Sequence, residues 1–356
     1  GPWPQPGHPR PMRSSTRLPP FPFPLPQLLL LLLLLPSSRG EGEVGCEEIT
    51  ENDALFIVDM QNDFMESYSV PSSRKPNYDI SSHVTDGVIS AGSLAVRNSS
   101  QIVDPINKWI DYFEKAGGKI FASLDWHLEN HCSFCRNGSC DSNPDGCKPH
   151  GGVCGPLPMI GFNSTGKCID DVAVADFERG ALMQWPDHCV MKTFGSRFQP
   201  FLNLPNETVV VKKGWYIRKD TYSAFGGTRS KESYPFDTED TKDDLKTRAK
   251  LVDLLTDYNI TRFWTVGLAL DFCVGGTILD SLGKNKETKR GKPPTIKQSI
   301  LVLPCTRAVS PTTTGAEYIR KIVEAGGIVA NQTDPPAALK EICSNVASTL
   351  SLQTFT

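Results

Sequence analysis

The sequence carries no block of like charge. Its 37 basic and 40 acidic residues are interspersed and leave a net charge of -3, so the basic face that a nucleic-acid partner would require is missing. The lysine-rich patch from Gly283 to Pro294 reads as a solvated loop between a helix and a strand. The leucine run from Leu28 to Leu35 falls well short of the ~20 residues of a bilayer-spanning helix, and prolines break the sequence before it. A stable membrane span is therefore not expected. No internal repeat is visible, which excludes a solenoid or a propeller.

What is present begins with residues 1–40. Met12, the basic residues Arg13 and Arg17 and the leucine run open into the small polar stretch PSSRGEG. That order is the order of a secretory signal peptide, with a signal anchor as the alternative. Eleven cysteines agree with export, six of them between Cys132 and Cys168. In an oxidising compartment this crowd would form a disulfide cluster, and with Cys273 kept as a thiol the other ten could pair. Glycosylation sequons stand at Asn98, Asn137, Asn163, Asn206, Asn259 and Asn331. Together these features predict a protein that is secreted or resident in a secretory-pathway lumen, a vacuole included.

From Ala54 onward, short apolar runs alternate with helical patterns. ALFIVD (54–59), KIFASLD (119–125), ETVVVKK (207–213), RFWTVGL (262–268), SILVLPC (299–305) and GGIVAN (326–331) read as buried strands. Helical periodicity runs through 104–118, 241–258, 273–283 and 312–327, and two of these segments end in Gly-Gly, a common stop signal. Strands that are apolar on both faces, alternating with helices, predict a single three-layer α/β domain over 46–345, with a mostly parallel sheet of about six strands flanked by helices. A Cys-rich stretch at about 132–180 and a polar loop at about 226–240 do not follow the alternation, and both read as insertions into that domain.

In an open parallel sheet, ligands sit outside the carboxyl ends of the strands. Those ends carry Asp59, then Asp125 with His127, then Lys212 and Lys213, and finally Cys273 at a helix start. A cysteine there can act as a nucleophile if a carboxylate takes its proton. The backbone N–H groups of Ala269 and Cys273 could hold the resulting oxyanion. Asp125 and His127, two apart in an extended segment, point the same way. With His188 they would suit Zn²⁺, Fe²⁺ or Mn²⁺. His131 reads as a surface-loop histidine, with a part in metal binding as the alternative. Lys212 and Lys213 alternate across the strand, so only one of them can reach Asp59.

IVDMQNDF, LDWHLENHCSF, WPDHCV, VVKKGWYIRKDTYSAF and VGLALDFCV occur in this order at the expected strand ends. In these five motifs, covering most of 54–330 outside the two insertions, the chain resembles the nicotinamidase branch of the isochorismatase-like cysteine hydrolases. The resemblance implies an amidohydrolase that converts nicotinamide to nicotinate and ammonia through a cysteine thioester. It implies a triad of Asp59, Lys213 and Cys273, and one divalent metal ion, Zn²⁺ first, on Asp125, His127 and His188. It also implies a non-proline cis peptide at Leu268–Ala269. Spacing to YSAF assigns the lysine role to Lys213 rather than Lys212. Phe64, Trp126 and Tyr222 are candidates for the aromatic walls around a flat ring. The partner expected is the small-molecule amide, with self-association left open. Another amidase of the superfamily, or an inactive secreted binding protein, is the alternative. The leader, the sequons and the insertion after DWH depart from the family pattern.

Overall fold

Asp53–Val58 is an unbroken run of buried residues, and in the computed structural model it forms β1, the central strand of a seven-stranded sheet. The structure describes residues 48–131, 133–134, 161–162, 168–169, 185–216, 221–230, 245–286 and 288–353. On one side of β1 lie β2 (Lys119–Asp125), β3 (Val209–Lys213) and β4 (Thr228–Arg229) in that order. On the other side lie β5 (Arg262–Leu268), β6 (Gln298–Arg307) and β7 (Ile328–Ala330). Every neighbouring pair is parallel except β3 with β4. All six expected strands are therefore present, and the seventh is a short antiparallel edge at the start of the expected polar loop.

Period-two alternation divides the core. Leu55 and Ile57 of β1, with Trp264 and Val266 of β5, face helix α1 (Val103–Ala116) and the C-terminal helix α5 (Pro335–Gln353). Ala54, Phe56 and Val58 face the opposite layer, which contains α2 (Leu251–Asp257), α3 (Gly275–Ser281) and α4 (Ala316–Glu324). On the first face Trp109 of α1 packs against Trp264, with ring centroids 5.4 Å apart. Among the described residues no helix is long and apolar enough to cross a membrane.

Four local features differ from the sequence reading. The helix expected over 241–258 is interrupted: Leu245 and Lys246 are helical, Lys250 is extended and bridges to Thr228 beside the sheet edge, and α2 begins after it. The segments expected to be plain helices from Cys273 and Thr312 begin instead with π-helical turns, Leu270–Val274 and Pro311–Gly315. Helix α5 was not expected. Between β1 and α1 a small antiparallel sheet of Tyr68–Ser69, Val88–Ile89 and Val84–Thr85 packs on Phe201. The cysteine expectation also changes, since Cys189, Cys273 and Cys305 are free thiols. Cys189 and Cys305 are packed into the apolar core, and burial pushes the Cys305 thiol up to about 12. Most of the Cys132–Cys168 crowd lies outside the described residues.

At the amino ends of β1 and β5, paired by register, Asp53 and Arg262 form a buried ion pair, Nε to Oδ1 2.5 Å. Asp53 also accepts hydrogen bonds from Trp264 Nε1 at 2.9 Å and from the backbone N–H and hydroxyl of Thr50, both at 2.9 Å. Removing one partner of such a pair strands the other charge without water. Asp53→Ala is therefore expected to lower the unfolding free energy by ~3–5 kcal/mol, measured by urea denaturation. A loss below about 1 kcal/mol, the range of exposed pairs, would show that the pair is not shielded as described.

Candidate active site

The chain order makes β1 and β5 the place where the strand order reverses, and a crevice opens outside their carboxyl ends. Four strand ends fill it. Asp59 follows β1 directly, with a left-handed φ of 45°. Asp125 closes β2 and Lys213 closes β3, and the two are register partners. Beyond β5 comes a cis peptide at Leu268–Ala269, then the π-helical turn that carries Cys273. Turns of this kind insert an extra residue into helical backbone and recur at functional sites.

Two glycines make the close approaches possible. Gly267, at φ 110°, lies against Val58 so tightly that a Cβ would overlap the β1 backbone. Gly214, at φ 68°, lies against the His127 ring in the same way, and its carbonyl sits 2.8 Å from His127 Nδ1.

Lys213 is fully buried at the centre. Its Nζ is 2.9 Å from Asp59 Oδ2 and 2.5 Å from Asp125 Oδ1, and it donates to Cys273 Sγ at 3.4 Å. Acceptor atoms of Asp59 and Asp125 and the sulfur of Cys273 lie within 4.8 Å of one another. The Ser123 hydroxyl donates to Asp59 Oδ1 at 2.6 Å. Gln61 grips the backbone of Asp125 from both sides, donating to its carbonyl at 2.8 Å and accepting from its N–H at 2.8 Å.

Burial and charge pull these groups in different directions. Burial lifts Asp59 above the usual carboxylate range; Lys213 opposes that and the neighbouring Asp125 adds to it. Burial acts on Asp125 too, but Lys213, His127 and His188 outweigh it and hold its carboxyl well below that range. Burial would lower Lys213, yet Asp125, Asp59 and Cys273 raise it well above the ordinary lysine value, so it remains an ammonium. Burial also raises Cys273, with Lys213 opposing and the carboxylates adding, so the sulfur rests as a thiol.

Beside this group, Asp125 Oδ2 lies 3.6 Å from His127 Nε2 and 3.9 Å from His188 Nε2. His188 arrives because the segment after it pairs with His127: His127 N donates to Cys189 O at 3.0 Å and Met191 N to His127 O at 2.8 Å. Both imidazoles have Nδ1 2.8 Å from a backbone carbonyl, of Gly214 and Pro186. A carbonyl only accepts, so each Nδ1 carries a proton and each Nε2 faces Asp125, where a neutral ring would offer its lone pair to a cation. One carboxylate oxygen and two imidazole nitrogens within 4.8 Å of one another fit a divalent cation. His131 is not a surface residue. It is buried, its ring centroid is 4.3 Å from that of His127, and its Nδ1 is 2.8 Å from Ser133 Oγ.

A cavity opens above Cys273 and Asp125. Phe64 and Tyr222 line it as expected, but Trp126 does not. Trp126 is buried in a separate cluster with Trp215 and Leu245, where Lys212 lies 3.5 Å from its ring centroid. Strand alternation thus turns Lys212 away from Asp59. The aromatic wall comes instead from Trp185 and Phe272, whose ring centroids are 5.2 Å apart, while Leu94, Val96 and Val309 complete the lining. Trp185 and Phe272 stand inside or beside motifs already singled out, WPDHCV and VGLALDFCV, so proximity in sequence was the available signal. Leu94, Val96 and Val309 carried none.

Comparison with protein-family models finds no match. Among curated proteins the chain is similar to the nicotinamidase of Escherichia coli K12, 29% identical over 231 residues, covering 64% of this chain and 76% of that protein. The nicotinamidase of Saccharomyces cerevisiae is 24% identical over 230 residues, covering 64% and 80%. Among solved structures, the yeast nicotinamidase superposes with a TM-score of 0.53 at 19% identity, covering 79% of this chain and all of that one. A nicotinamidase structure from Acinetobacter gives a TM-score of 0.50 at 24% identity, covering 78% and 95%. By sequence the chain is thus similar to the nicotinamidases, and it shares the isochorismatase-like α/β fold of their solved structures.

Proposed function

We propose that the protein hydrolyses nicotinamide to nicotinate and ammonia, with Cys273 as nucleophile, Asp59 as the proton carrier and Lys213 as the cation between them. The observation that carries this reading is the reach of one buried ammonium to Asp59, Asp125 and the Cys273 sulfur at once. The similarity to curated nicotinamidases supports the choice of amide.

The chemistry follows from the charges. A raised Asp59 is a better base than an ordinary carboxylate, and the thiol of Cys273 lies within 4.8 Å of it. The S–H proton passes to Asp59, and the thiolate is stabilised by Lys213 as it adds to the carboxamide carbon. The carbonyl oxygen becomes an oxyanion, for which the N–H groups of Ala269 and Cys273 at the turn after β5 are the donors in this reading. Asp59 then returns the proton to the amide nitrogen, the C–N bond breaks, and ammonia leaves a thioester on Cys273. Water, deprotonated by Asp59, releases nicotinate and restores the thiol. Asp125, His127 and His188 would hold a divalent metal, Zn²⁺ first, and such an ion supplies a Lewis-acid anchor for a pyridine nitrogen and ordered water. Phe64, Tyr222, Trp185 and Phe272 line the cavity and would keep a planar ring in place.

Two outcomes are expected. Purified protein supplied with Zn²⁺ releases ammonia from nicotinamide; Cys273→Ala releases none above background, and Asp59→Asn lowers kcat by about 10²- to 10⁴-fold, with circular dichroism confirming that both variants fold. A folded, metal-supplied wild type that releases no ammonia ends the proposal. Dialysis against a chelator is expected to abolish turnover and Zn²⁺ to restore it. Full activity in a protein shown to be metal-free by elemental analysis would remove the metal from this reading.

A further inference from the structure

Asp271 stands two residues before Cys273, inside the π-helical turn, and is only 2% exposed. Its carboxylate does not face the cavity chemistry. Oδ1 accepts the backbone N–H of Val309 at 2.9 Å, and Oδ2 accepts the N–H of Ser310 at 2.9 Å and the hydroxyl of Thr314 at 2.7 Å. These donors lie where β6 gives way to the turn that opens α4. Donors at a helix start have no partner within the helix. A side chain of that helix usually caps them, but here the cap comes from the nucleophile's own turn.

The tethered segment begins at Val309. This residue is 47% exposed, yet it lines the cavity together with Ala269, Phe272 and Cys273. A β-branched side chain has little rotamer freedom, so the position of its methyl groups follows the backbone that Asp271 holds. We propose that Val309 is the gate that sets which ring substituents the cavity admits, and that Asp271 is the positioning residue that keeps this gate in register with Cys273. This rests on the amidase reading for its substrate class, pyridine carboxamides differing in the bulk of a ring substituent.

The test compares kcat/KM for nicotinamide and 5-methylnicotinamide in wild type, Val309→Ala and Asp271→Asn. Opening a pocket by one or two methyl groups changes discrimination by about 10-fold or more, so Val309→Ala is expected to shift the ratio toward the methylated amide by about that factor. In Asp271→Asn the amide NH₂ must face donors, and at least one of the three hydrogen bonds is lost. The same shift, smaller, is expected, with the loss on nicotinamide falling mainly on KM rather than kcat. A second readout needs no turnover: the rate of Cys273 alkylation by iodoacetamide against that by bulkier N-benzyliodoacetamide, followed by peptide mass spectrometry. Both variants should favour the bulky reagent relative to wild type. An unchanged substrate ratio and an unchanged alkylation ratio in Val309→Ala would overturn the gate. A fall in kcat alone in Asp271→Asn, with KM and the alkylation ratio as in wild type, would show that Asp271 serves the nucleophile's turn instead. If wild type hydrolyses neither amide, the amidase reading fails, and the alkylation ratios still decide whether Val309 controls entry.

Discussion

Everything at the sheet's edge depends on one ammonium without water. Lys213 loses its hydration on burial, and that loss is tolerable only because two carboxylates stand within 2.9 Å of its nitrogen. The dependence is mutual. Without the lysine, Asp59 and Asp125 would be two anions facing each other in a medium that screens poorly. Two carboxylates against one ammonium leave one negative charge when both are ionised. That surplus lies where Asp125 faces the imidazole nitrogens of His127 and His188, and a divalent cation there would best offset it.

The fold supplies this convergence through order rather than proximity in sequence. Because β5 crosses back to the far side of β1, residues from distant parts of the chain end at one crevice. Local backbone then adjusts each contribution: a left-handed Asp59 and a Gly267 that lets β5 lie against β1. The same crevice separates labour between its carboxylates. Asp125, beside three cationic or potentially cationic groups, is fixed as an anion, whereas at Asp59 burial outweighs Lys213 and the Ser123 hydroxyl, so it keeps some affinity for a proton.

Much of this was legible beforehand, for identifiable reasons. Strands apolar on both faces announce a covered parallel sheet, and the sheet's geometry says where to look for a site, so Asp59, Asp125, Lys213 and Cys273 could be named from their places at strand ends. Alternation allowed only one of Lys212 and Lys213 to reach Asp59, and the spacing to YSAF chose Lys213. The failures came where tertiary packing decides. His131 sits in a polar stretch, NHCSF, yet is buried against His127. Trp126 neighbours two metal-ligand candidates but, by the same alternation, points into another cluster. Val309 and Leu94 line the cavity only because loops fold over it, and no periodic pattern marks a loop residue's inward side. The π-helical turn at Leu270–Val274 was hidden as well, since its composition does not differ from that of an ordinary helix start.

The pairing beside the histidines has one more consequence. Trp185 N donates to Ser133 O at 2.7 Å, and Phe134 and Trp185 form a parallel bridge, so the chain on either side of the cysteine-rich segment is stitched together beside the cavity. The entropy of closing a loop grows only with the logarithm of its length, so a stitch of this kind makes the rim insensitive to how much sequence is threaded through it. Evolution can then lengthen, shorten or exchange the cysteine-rich passenger between these residues while the ligand geometry next door stays as it is.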